Sequence, residues 1–348
     1  MVSAPALAPL AIDDRCSADA WDAYVDRHEA ATQYHGLAFR TVFERAFGHR
    51  CHYLAARRGG EVAGVLPLVE FNSRLFGRFA VSLPFVNYGG VLADDEQTAA
   101  GLVERAVRLG ETSQWRHVEL RHRSRLCPSW PARSHKVLME RLLEPTPEAL
   151  WASVDRKVRN LVRKAEKSGC VASAGGPELL ADFYGVFARN MRDLGTPVYS
   201  PRFFSEVMAA TKGRSRVFVV RQAGRPVAAS LVLQWRDRAE VPWASSLKSH
   251  ASSSPNMLLY WAMLKWAVEQ QLRVFDFGRS TPGEGTYHFK LQWGATARPS
   301  IWEYAGLSGA IPNQGPSNPK FRIAIAAWKR LPLSVANSFG PVIVRNIP

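Results

Sequence analysis

The amino-acid sequence predicts an α/β protein of two related lobes, each built on a mixed β-sheet, because one order of elements occurs twice. Residues 53–71 and 217–235 each read as an apolar run, an arginine, a glycine-containing turn, a Val-Ala pair and a second apolar run. A short turn between two β-rich runs is typical of a β-hairpin. Of the two turns, at Gly59-Gly60 and at Gly224, one is predicted to be a residue longer than the other.

A helical pattern and then a strand follow each hairpin. Residues 98–120 carry apolar side chains at helical spacing, continue into an apolar strand and lead to Arg123-Ser124. Residues 258–277 repeat this order and lead to Arg279-Ser280. Because hairpin, helix and strand occur twice in the same sequence order, the chain is predicted to contain a duplicated unit, and such a repeat decides the whole fold.

Two prolines interrupt the pattern at residues 144–147, which predicts a lobe boundary there. We therefore expect an N-terminal lobe over 1–145, a C-terminal lobe carrying the active site over 146–310, and a tail over 311–348 with an amphipathic helix. The second lobe is predicted to open with one helix over 147–168.

Composition is that of a globular protein with room for two domains. The chain has 348 residues, of which 47% are apolar and 22% charged. Its four cysteines lie far apart, which favours a reducing compartment over a disulfide framework. The N-terminal segment lacks the features of a secretory signal, and no apolar run is long enough to span a membrane, so we expect a cytoplasmic protein.

The chain is strongly basic, with 45 Lys and Arg against 30 Asp and Glu and a formal net charge of +15. Such an excess attracts phosphate groups of nucleic acids, CoA, nucleotide-sugars or anionic lipids, although a solvated positive surface is the alternative. The basic helix at 156–167 concentrates this charge. Its Arg159 and Arg163 are candidate phosphate ligands and Asn160 a candidate ligand contact, again with a solvated face as the alternative.

Residues 278–294, GRSTPGEGTYHFKLQWG, directly follow the strand that contains Asp276. Open α/β sheets place ligands at the carboxyl ends of their strands, and we interpret this glycine-rich segment as a loop that approaches a substrate. A surface loop without function is the alternative. Lys290 supplies the positive charge that a developing oxyanion needs. Asp276, Tyr287 and His288 are candidates for a general base, and Arg279 either orients Asp276 or binds a phosphate.

Other chemistries lack their sequence signatures. The G-x-S-x-G motif of many serine hydrolases does not occur, and the paired histidines have no carboxylate or cysteine partners at recognised zinc spacings. We therefore expect no metal. In the tail, residues 320–331 place Phe321, Ile325 and Trp328 on one helical face and basic residues largely opposite. This pattern predicts peripheral contact with an anionic membrane, or packing against the protein itself.

Four stretches together resemble the FemAB family and its relatives with BioF2-like acetyltransferase domains, which belong to the GNAT superfamily. They are LPFVNYGG at 83–90, KVRNLVRKAEKSG at 157–169, FDFGRS at 275–280 and TYHFKLQWG at 286–294. The resemblance covers about residues 15–310 and is strongest to FemAB-related proteins of exopolysaccharide and exosortase (PEP-CTERM) systems.

The resemblance implies two tandem GNAT-like acyltransferase lobes and transfer of an acyl or aminoacyl group to an amine or hydroxyl. Phe289-Lys290 matches a pair that supports catalysis in peptidoglycan-building members. Two features depart from the relatives: no helical hairpin for tRNA is present, and residues 249–256 stand where a GNAT pyrophosphate loop is expected. The first departure counts against an aminoacyl-tRNA donor, and the second counts against simple acetyl-CoA binding. Acyl-CoA is the first candidate donor and aminoacyl-tRNA the second.

The sequence thus predicts an N- or O-acyltransferase for a cell-envelope or exopolysaccharide precursor. Lys290 is expected to stabilise the oxyanion, with Phe289 and Tyr287 shaping the pocket. Tyr88 and Asn87 of the first lobe are expected to line the acceptor side. The rival hypotheses are an aminoacyl-tRNA-dependent peptidyltransferase of peptidoglycan type and a non-catalytic basic protein that binds nucleic acid or serves as a scaffold.

Overall fold

The computed structural model describes residues 9–73, 76–308 and 322–348, and these residues form two compact units. The first unit comprises residues 9–134 and 300–308, and the second comprises residues 135–299 and 322–347. Both units are of mixed α/β architecture, with helices packed against a mixed sheet. The predicted fold class is therefore confirmed.

In chain order, residues 9–142 form β1 (Leu10–Asp13), α1 (Ala18–Arg27), α2 (Ala38–Phe47), β2 (Arg50–Arg58), β3 (Glu61–Ser73), β4 (Gly77–Val81), β5 (Leu92–Ala93), α3 (Glu96–Thr112), β6 (His117–His122) and β7 (Ala132–Leu142). Residues 147–344 form α4 (Pro147–Ser153), α5 (Arg156–Lys167), β8 (Cys170–Gly175), α6 (Leu180–Leu194), α7 (Pro201–Ala210), β9 (Ser215–Gln222), β10 (Arg225–Trp235), β11 (Arg238–Ser246), α8 (Pro255–Glu269), β12 (Val274–Ser280), α9 (Gly285–Gln292), β13 (Thr296–Gly306), α10 (Arg322–Trp328) and α11 (Leu333–Val344).

The two units have the same strand order. Hydrogen-bonded neighbours run β1-β2-β3-β4-β6-β13 in the first unit and β8-β9-β10-β11-β12-β7 in the second. In each unit one pair is parallel, β4 with β6 and β11 with β12, and the other neighbours along this path are antiparallel. Each unit takes its last strand from the other half of the sequence. For this reason a single cut at residue 145 does not reproduce the compact units. The lobes over 1–145 and 146–310 stay a prediction.

The two hairpins share the same turn and the same β-bulge. Both turns have two residues, Gly59-Gly60 and Ala223-Gly224, all with the positive φ that a tight hairpin turn requires. The prediction that one turn is a residue longer than the other is therefore wrong. The register slips at Ala63 in the first hairpin and at Val227 in the second, which is the third residue of each second strand. The two Val-Ala pairs occupy positions that differ by one residue in this register. Aligning the pairs with each other therefore suggests an extra residue in one turn.

The predicted helix over 147–168 is two helices, α4 and α5. The break occurs because Asp155 acts as the N-cap of α5, where its Oδ1 accepts the Lys157 amide at 2.6 Å. The predicted end is confirmed, since Ser168 caps α5 and Gly169 follows with φ +76°. Val158, Val162 and Ala165 form the buried side of α5, which packs on α8.

Each unit has a core between its sheet and its long helix. In the first unit α3 covers β2 and β3, and Leu54, Leu102 and Trp115 are buried there. In the second unit α8 covers β9 and β10, with Phe275 and Trp293 in the same cluster. The strands that carry the candidate sites are therefore backed by a packed hydrophobic core.

The C-terminal segment differs from the amphipathic helix predicted over 320–331. Lys320 and Phe321 lie outside the described residues, and helix α10 spans Arg322–Trp328. Ile325 lies so close to Gly195 that a Cβ there would meet its Cγ2 at 2.6 Å, so this face packs against the protein. Helix α11, which the sequence analysis did not predict, follows it and packs on α6. Within the ranges described above, no helix has both the length and the apolar character needed to cross a bilayer.

Candidate functional site

Strand β12 ends in a kink that Asp276 holds. The pairing of β12 with β7 shifts register between Asp276 and Arg279, and Gly278 within this bulge has φ +75°. The Gly278 amide donates to Asp276 Oδ1 at 2.7 Å, and the Asp276 side chain is fully buried. A glycine fits here because the left-handed conformation strains other residues. The kink turns the Gly278 and Arg279 carbonyls toward the helix that follows.

Lys290 reaches these carbonyls from helix α9. The glycine-rich sequence predicts a loop at Lys290, but the segment after Glu284 folds into α9, so that prediction is wrong. Lys290 Nζ donates to the Gly278 carbonyl at 3.1 Å and to the Arg279 carbonyl at 2.8 Å, and the residue is only 7% exposed. An ammonium has three donors, so one N–H remains beyond these two bonds.

The surroundings of Lys290 make its ammonium group a stronger acid than that of a free lysine. The pKa of Lys290 is lowered to about 8, mainly by burial; the Asp276 carboxylate opposes this shift and the Arg279 guanidinium adds to it. Desolvation penalises the charged form, and an opposite charge nearby favours it. Lys290 is therefore still largely protonated at neutral pH and loses its charge in the mildly alkaline range.

Lys136 adds a third cation to this strand end, and sequence reasoning missed it. It lies on β7, next to the residue that pairs with Ser280, and its Nζ donates to Thr281 Oγ1 at 2.6 Å. Burial lowers the pKa of Lys136, and the charge of Arg279 adds to this effect. The only signal for Lys136 is the pairing of β7 with β12, which no local pattern reveals.

The two parallel strands of the second unit separate beside this group. The pairing of β11 with β12 is confined to three residue pairs and ends at Glu240 with Asp276. Both strands continue past this point, β11 to Ser246 and β12 to Ser280. Backbone groups along the separated segments are thus available to a ligand that enters at the carboxyl ends of the strands.

The two aromatic residues predicted beside Lys290 lie on the same helix. Phe289 is half-buried and packs edge-on against Tyr260, with ring centroids 4.9 Å apart. Tyr287 is also half-buried and packs against the core cluster of the second unit. His288, the other base candidate, is exposed.

Helix α5 carries the predicted phosphate ligands Arg159 and Arg163. Asn160 and Arg163 are exposed, and the Arg163 guanidinium lies 5.5 Å from the Trp151 ring centroid. Arg159 is half-buried, and its Nε has no hydrogen-bond partner. Across the described ranges, no ion pair joins Arg159 or Arg163 to an acid. The predicted site residues of the second unit thus lie on two sets of elements, β12 with α9 and the basic helix α5.

Tyr88 and Asn87 belong to the first unit, and both are buried. Tyr88 lines a cavity of about 120 Å³, together with His35, Arg121 and Arg123. The Arg123 guanidinium lies over the Tyr88 ring, 4.3 Å from its centroid. Burial lowers the pKa of His35 to about 3, so this imidazole is neutral at physiological pH. The cavity therefore combines an aromatic wall with cationic groups.

A buried hydrogen-bond network lies beside this cavity. His122 Nδ1 lies 2.9 Å from Glu303 Oε2, and the carboxylate also accepts the amides of Leu126 at 3.0 Å and Cys127 at 2.7 Å. Arg121 is 1% exposed, donates its Nε to Glu119 and leaves Nη2 without a hydrogen-bond partner. Sequence reasoning missed this group because Glu303 is 181 positions away from His122.

The paired histidines noted in the sequence have structural contacts. His52 Nε2 lies 3.0 Å from Glu70 Oε2, and His49 packs on Phe71 with ring centroids 4.4 Å apart. Within residues 9–73, 76–308 and 322–348, no group of three or more His, Cys, Asp or Glu side chains is arranged to hold a metal ion.

Comparisons with known proteins agree with this architecture. Residues 152–291 match the family of acetyltransferase (GNAT) domains. This range includes Asp276, Phe289 and Lys290. A comparison with curated protein sequences finds no significant match.

Several solved structures share the fold at low sequence identity. FemX superposes with a TM-score of 0.64 at 13% identity, covering 91% of this chain and 100% of FemX. L-PGS from Bacillus licheniformis gives 0.56 at 11% identity, covering 92% and 99%. A tandem GNAT protein from the clavulanic acid biosynthesis pathway, solved without AcCoA, gives 0.54 at 13% identity, covering 87% and 100%.

These similarities establish a fold of two tandem GNAT-like units, as the duplicated strand order also indicates. The match of residues 152–291 to an acetyltransferase (GNAT) domain supports acyl transfer as the general activity.

Proposed function

We propose that the protein is an acyltransferase whose second unit carries the reaction, and that Lys290 supplies the positive charge for it. The observation that carries this proposal is a buried ammonium at the end of β12, beside the point where β11 and β12 separate. A lysine is costly to bury unless its charge is used or paired. Acyl transfer needs a fixed donor of this kind, because negative charge develops on the acyl oxygen.

In the proposed reaction, an acceptor amine or hydroxyl attacks the acyl carbonyl carbon of the donor. The carbonyl π electrons move to oxygen, and Lys290 donates its remaining N–H to that oxyanion. The intermediate then collapses, the bond to the leaving group breaks, and the leaving group takes up the proton that the nucleophile loses. Phe289 and Tyr287 form the apolar wall beside the ammonium, since both lie half-buried on α9.

Asp276 is proposed as a positioning residue, although its residue type also suits a general base. Its carboxylate holds the Gly278 amide and is fully buried, and its charge favours the protonated form of Lys290. Arg279 and Lys136 flank the same strand end and are proposed to hold a phosphate of the donor or the acceptor. Guanidinium and ammonium groups are suited to this task.

For the donor we propose an acyl-CoA. The separated strands β11 and β12 offer backbone groups to an extended, amide-containing arm. The similar tandem GNAT structure described in relation to AcCoA favours the same class. An aminoacyl-tRNA is the second candidate, because α5 presents a basic face that includes Arg159 and Arg163. The two donors differ in salt dependence, since tRNA binding by several cations weakens steeply as salt rises.

For the acceptor we propose a cell-envelope or exopolysaccharide precursor that carries an anionic group, on the cytosolic side. The cavity of the first unit supports this idea, since Tyr88 and Arg123 combine a stacking surface with a positive charge. Asn87 lies in the same loop and is proposed to orient the acceptor.

The test is a transfer assay in which product mass is measured for the purified protein with acyl-CoA donors, with charged tRNA, and with amine- or hydroxyl-bearing envelope precursors. Replacing Lys290 by Ala is expected to lower kcat by about a hundredfold to a thousandfold, the usual effect of removing one oxyanion donor. A Lys265→Ala variant is the matched control, because Lys265 is half-exposed on α8 and pairs with Glu269 at 3.7 Å.

Because Lys290 also bonds two carbonyls of the β12 kink, thermal melts must show that the Lys290→Ala protein remains folded at the assay temperature. A folded Lys290→Ala protein with the kcat of the parent contradicts the catalytic role. Absence of transfer by the parent with both donor classes favours the non-catalytic scaffold hypothesis instead.

A further inference from the structure

The end of the chain carries an apolar helix that the transfer site does not use. Helix α11, Leu333–Val344, contains no charged residue. Its buried side consists of Ala336, Gly340 and Val344, four residues apart on one face. Gly340 allows a close approach, because a Cβ there would lie 2.9 Å from the Val198 backbone nitrogen. One side of α11 is thus fixed against the second unit.

The other side of α11 exposes large apolar side chains. Phe339 is 60% exposed, Val342 is 61% exposed and Ile343 is 38% exposed. Residues three and four apart share one helical face, so these three side chains form one patch. A water-facing side of a globular helix normally carries polar or charged groups. A contiguous group of apolar side chains in contact with water, unlike a single one, is typical of a surface that binds an apolar partner.

Cations lie at both ends of this patch. Lys329 and Arg330 precede α11, Arg345 follows it, and all three are exposed. No acidic residue occurs after Glu303, whereas the same stretch contains 5 Lys and Arg residues: Lys320, Arg322, Lys329, Arg330 and Arg345. An exposed apolar face bracketed by cations complements an anionic lipid surface.

We propose that α11 docks the protein on an anionic membrane, with Phe339, Val342 and Ile343 entering the interface and the flanking cations contacting lipid headgroups. This role differs from the contact predicted through residues 320–331, whose Ile325 faces the protein. Membrane docking through α11 does not depend on the acyl-transfer reaction, because it determines the location of the protein and not the bond that is formed.

The experiment is co-sedimentation of the full chain with vesicles of phosphatidylcholine alone and of phosphatidylcholine mixed with phosphatidylglycerol. Binding to the anionic vesicles is expected to exceed binding to the neutral ones and to weaken as salt rises. A Phe339→Ser, Val342→Ser double variant is expected to bind at least tenfold more weakly. Both side chains are exposed, so the variant is expected to fold and to retain transfer activity in detergent-free solution.

A matched control is the Leu142→Ser, Val171→Ser double variant, because these side chains are 75% and 67% exposed on strands β7 and β8. It removes as much exposed apolar surface elsewhere in the second unit and is expected to leave vesicle binding unchanged. No binding of the parent to anionic vesicles, or equal loss in both double variants, overturns the proposal. A parent dimer that dissociates in the α11 variant without any vesicle binding also overturns it, since the face then serves a second copy of the chain. None of these results changes the outcome expected in the transfer assay.

Discussion

The two units share one strand order but carry different chemistry at the same position, the end of the strand that follows the long helix. In the second unit this strand, β12, ends in a kink that places Asp276 beside the ammonium of Lys290. In the first unit the corresponding strand, β6, ends at His122, which pairs with the buried Glu303. One strand end thus holds a cation with a spare donor, and the other holds a carboxylate whose partners are already in place.

This difference suggests how a duplicated fold divides its tasks. Glu303 accepts from one imidazole and two backbone amides, so its charge is fully engaged in holding the first unit together. Lys290 is held by two carbonyls and keeps one donor, which is what a reaction site needs. We therefore expect the first strand end to govern stability and acceptor binding, and the second to govern turnover.

The largest expected effect in the first unit is on stability. Replacing Glu303 by Ala leaves His122 and two buried amides without their acceptor, and we expect a loss of about 3 kcal/mol or more in the free energy of unfolding. Denaturant unfolding measures this loss of free energy. Glu104→Ala is the control, since Glu104 forms an exposed pair with Arg108 on α3 and such pairs contribute about 0.5 kcal/mol. Equal free energies of unfolding for Glu303→Ala and Glu104→Ala would contradict a structural role of Glu303.

The same carboxylate sets a pH dependence of stability. Burial raises the pKa of Glu303, but the hydrogen bonds from His122, Leu126 and Cys127 outweigh it, so the pKa is lowered overall. A carboxyl with a lowered folded-state pKa contributes stability above its ordinary range, and that contribution is lost as pH falls through the acidic range. We expect the stability difference between parent and Glu303→Ala to shrink on acidification. A difference that is constant between neutral and strongly acidic pH would contradict this assignment.

A smaller effect is expected on acceptor binding. Replacing Arg123 by Gln removes the cation over Tyr88, and we expect KM for an anionic acceptor to rise about tenfold with kcat unchanged, as for loss of one charge-assisted hydrogen bond. Steady-state kinetics with varied acceptor separates the two constants. Arg108→Gln, on the exposed face of α3, is the control. A fall in kcat with constant KM would place Arg123 in the reaction and not in acceptor binding.

Local patterns predicted the duplicated architecture and the Asp276 strand because both rest on residues close together in sequence. The same reasoning does not predict the helix that carries Lys290, because the glycines that precede Lys290 in sequence are typical of a loop and not of the short helix α9. Lys136 and Glu303 were out of reach for another reason. Their contacts depend on pairings of β7 with β12 and of β13 with β6, which join strands from different halves of the sequence.

The most direct test of the central claim, that the protonated ammonium of Lys290 drives transfer, is the pH dependence of kcat/KM. Because the pKa of Lys290 is lowered to about 8, we predict that kcat/KM falls as pH rises through that value. In Asp276→Asn the supporting negative charge is lost, so this descending limb is expected to move to lower pH by about one unit, the usual effect of one nearby charge. A parent profile that stays level up to pH values near the ordinary lysine pKa of about 10.4, or an Asp276→Asn limb at the parent position, would contradict the account.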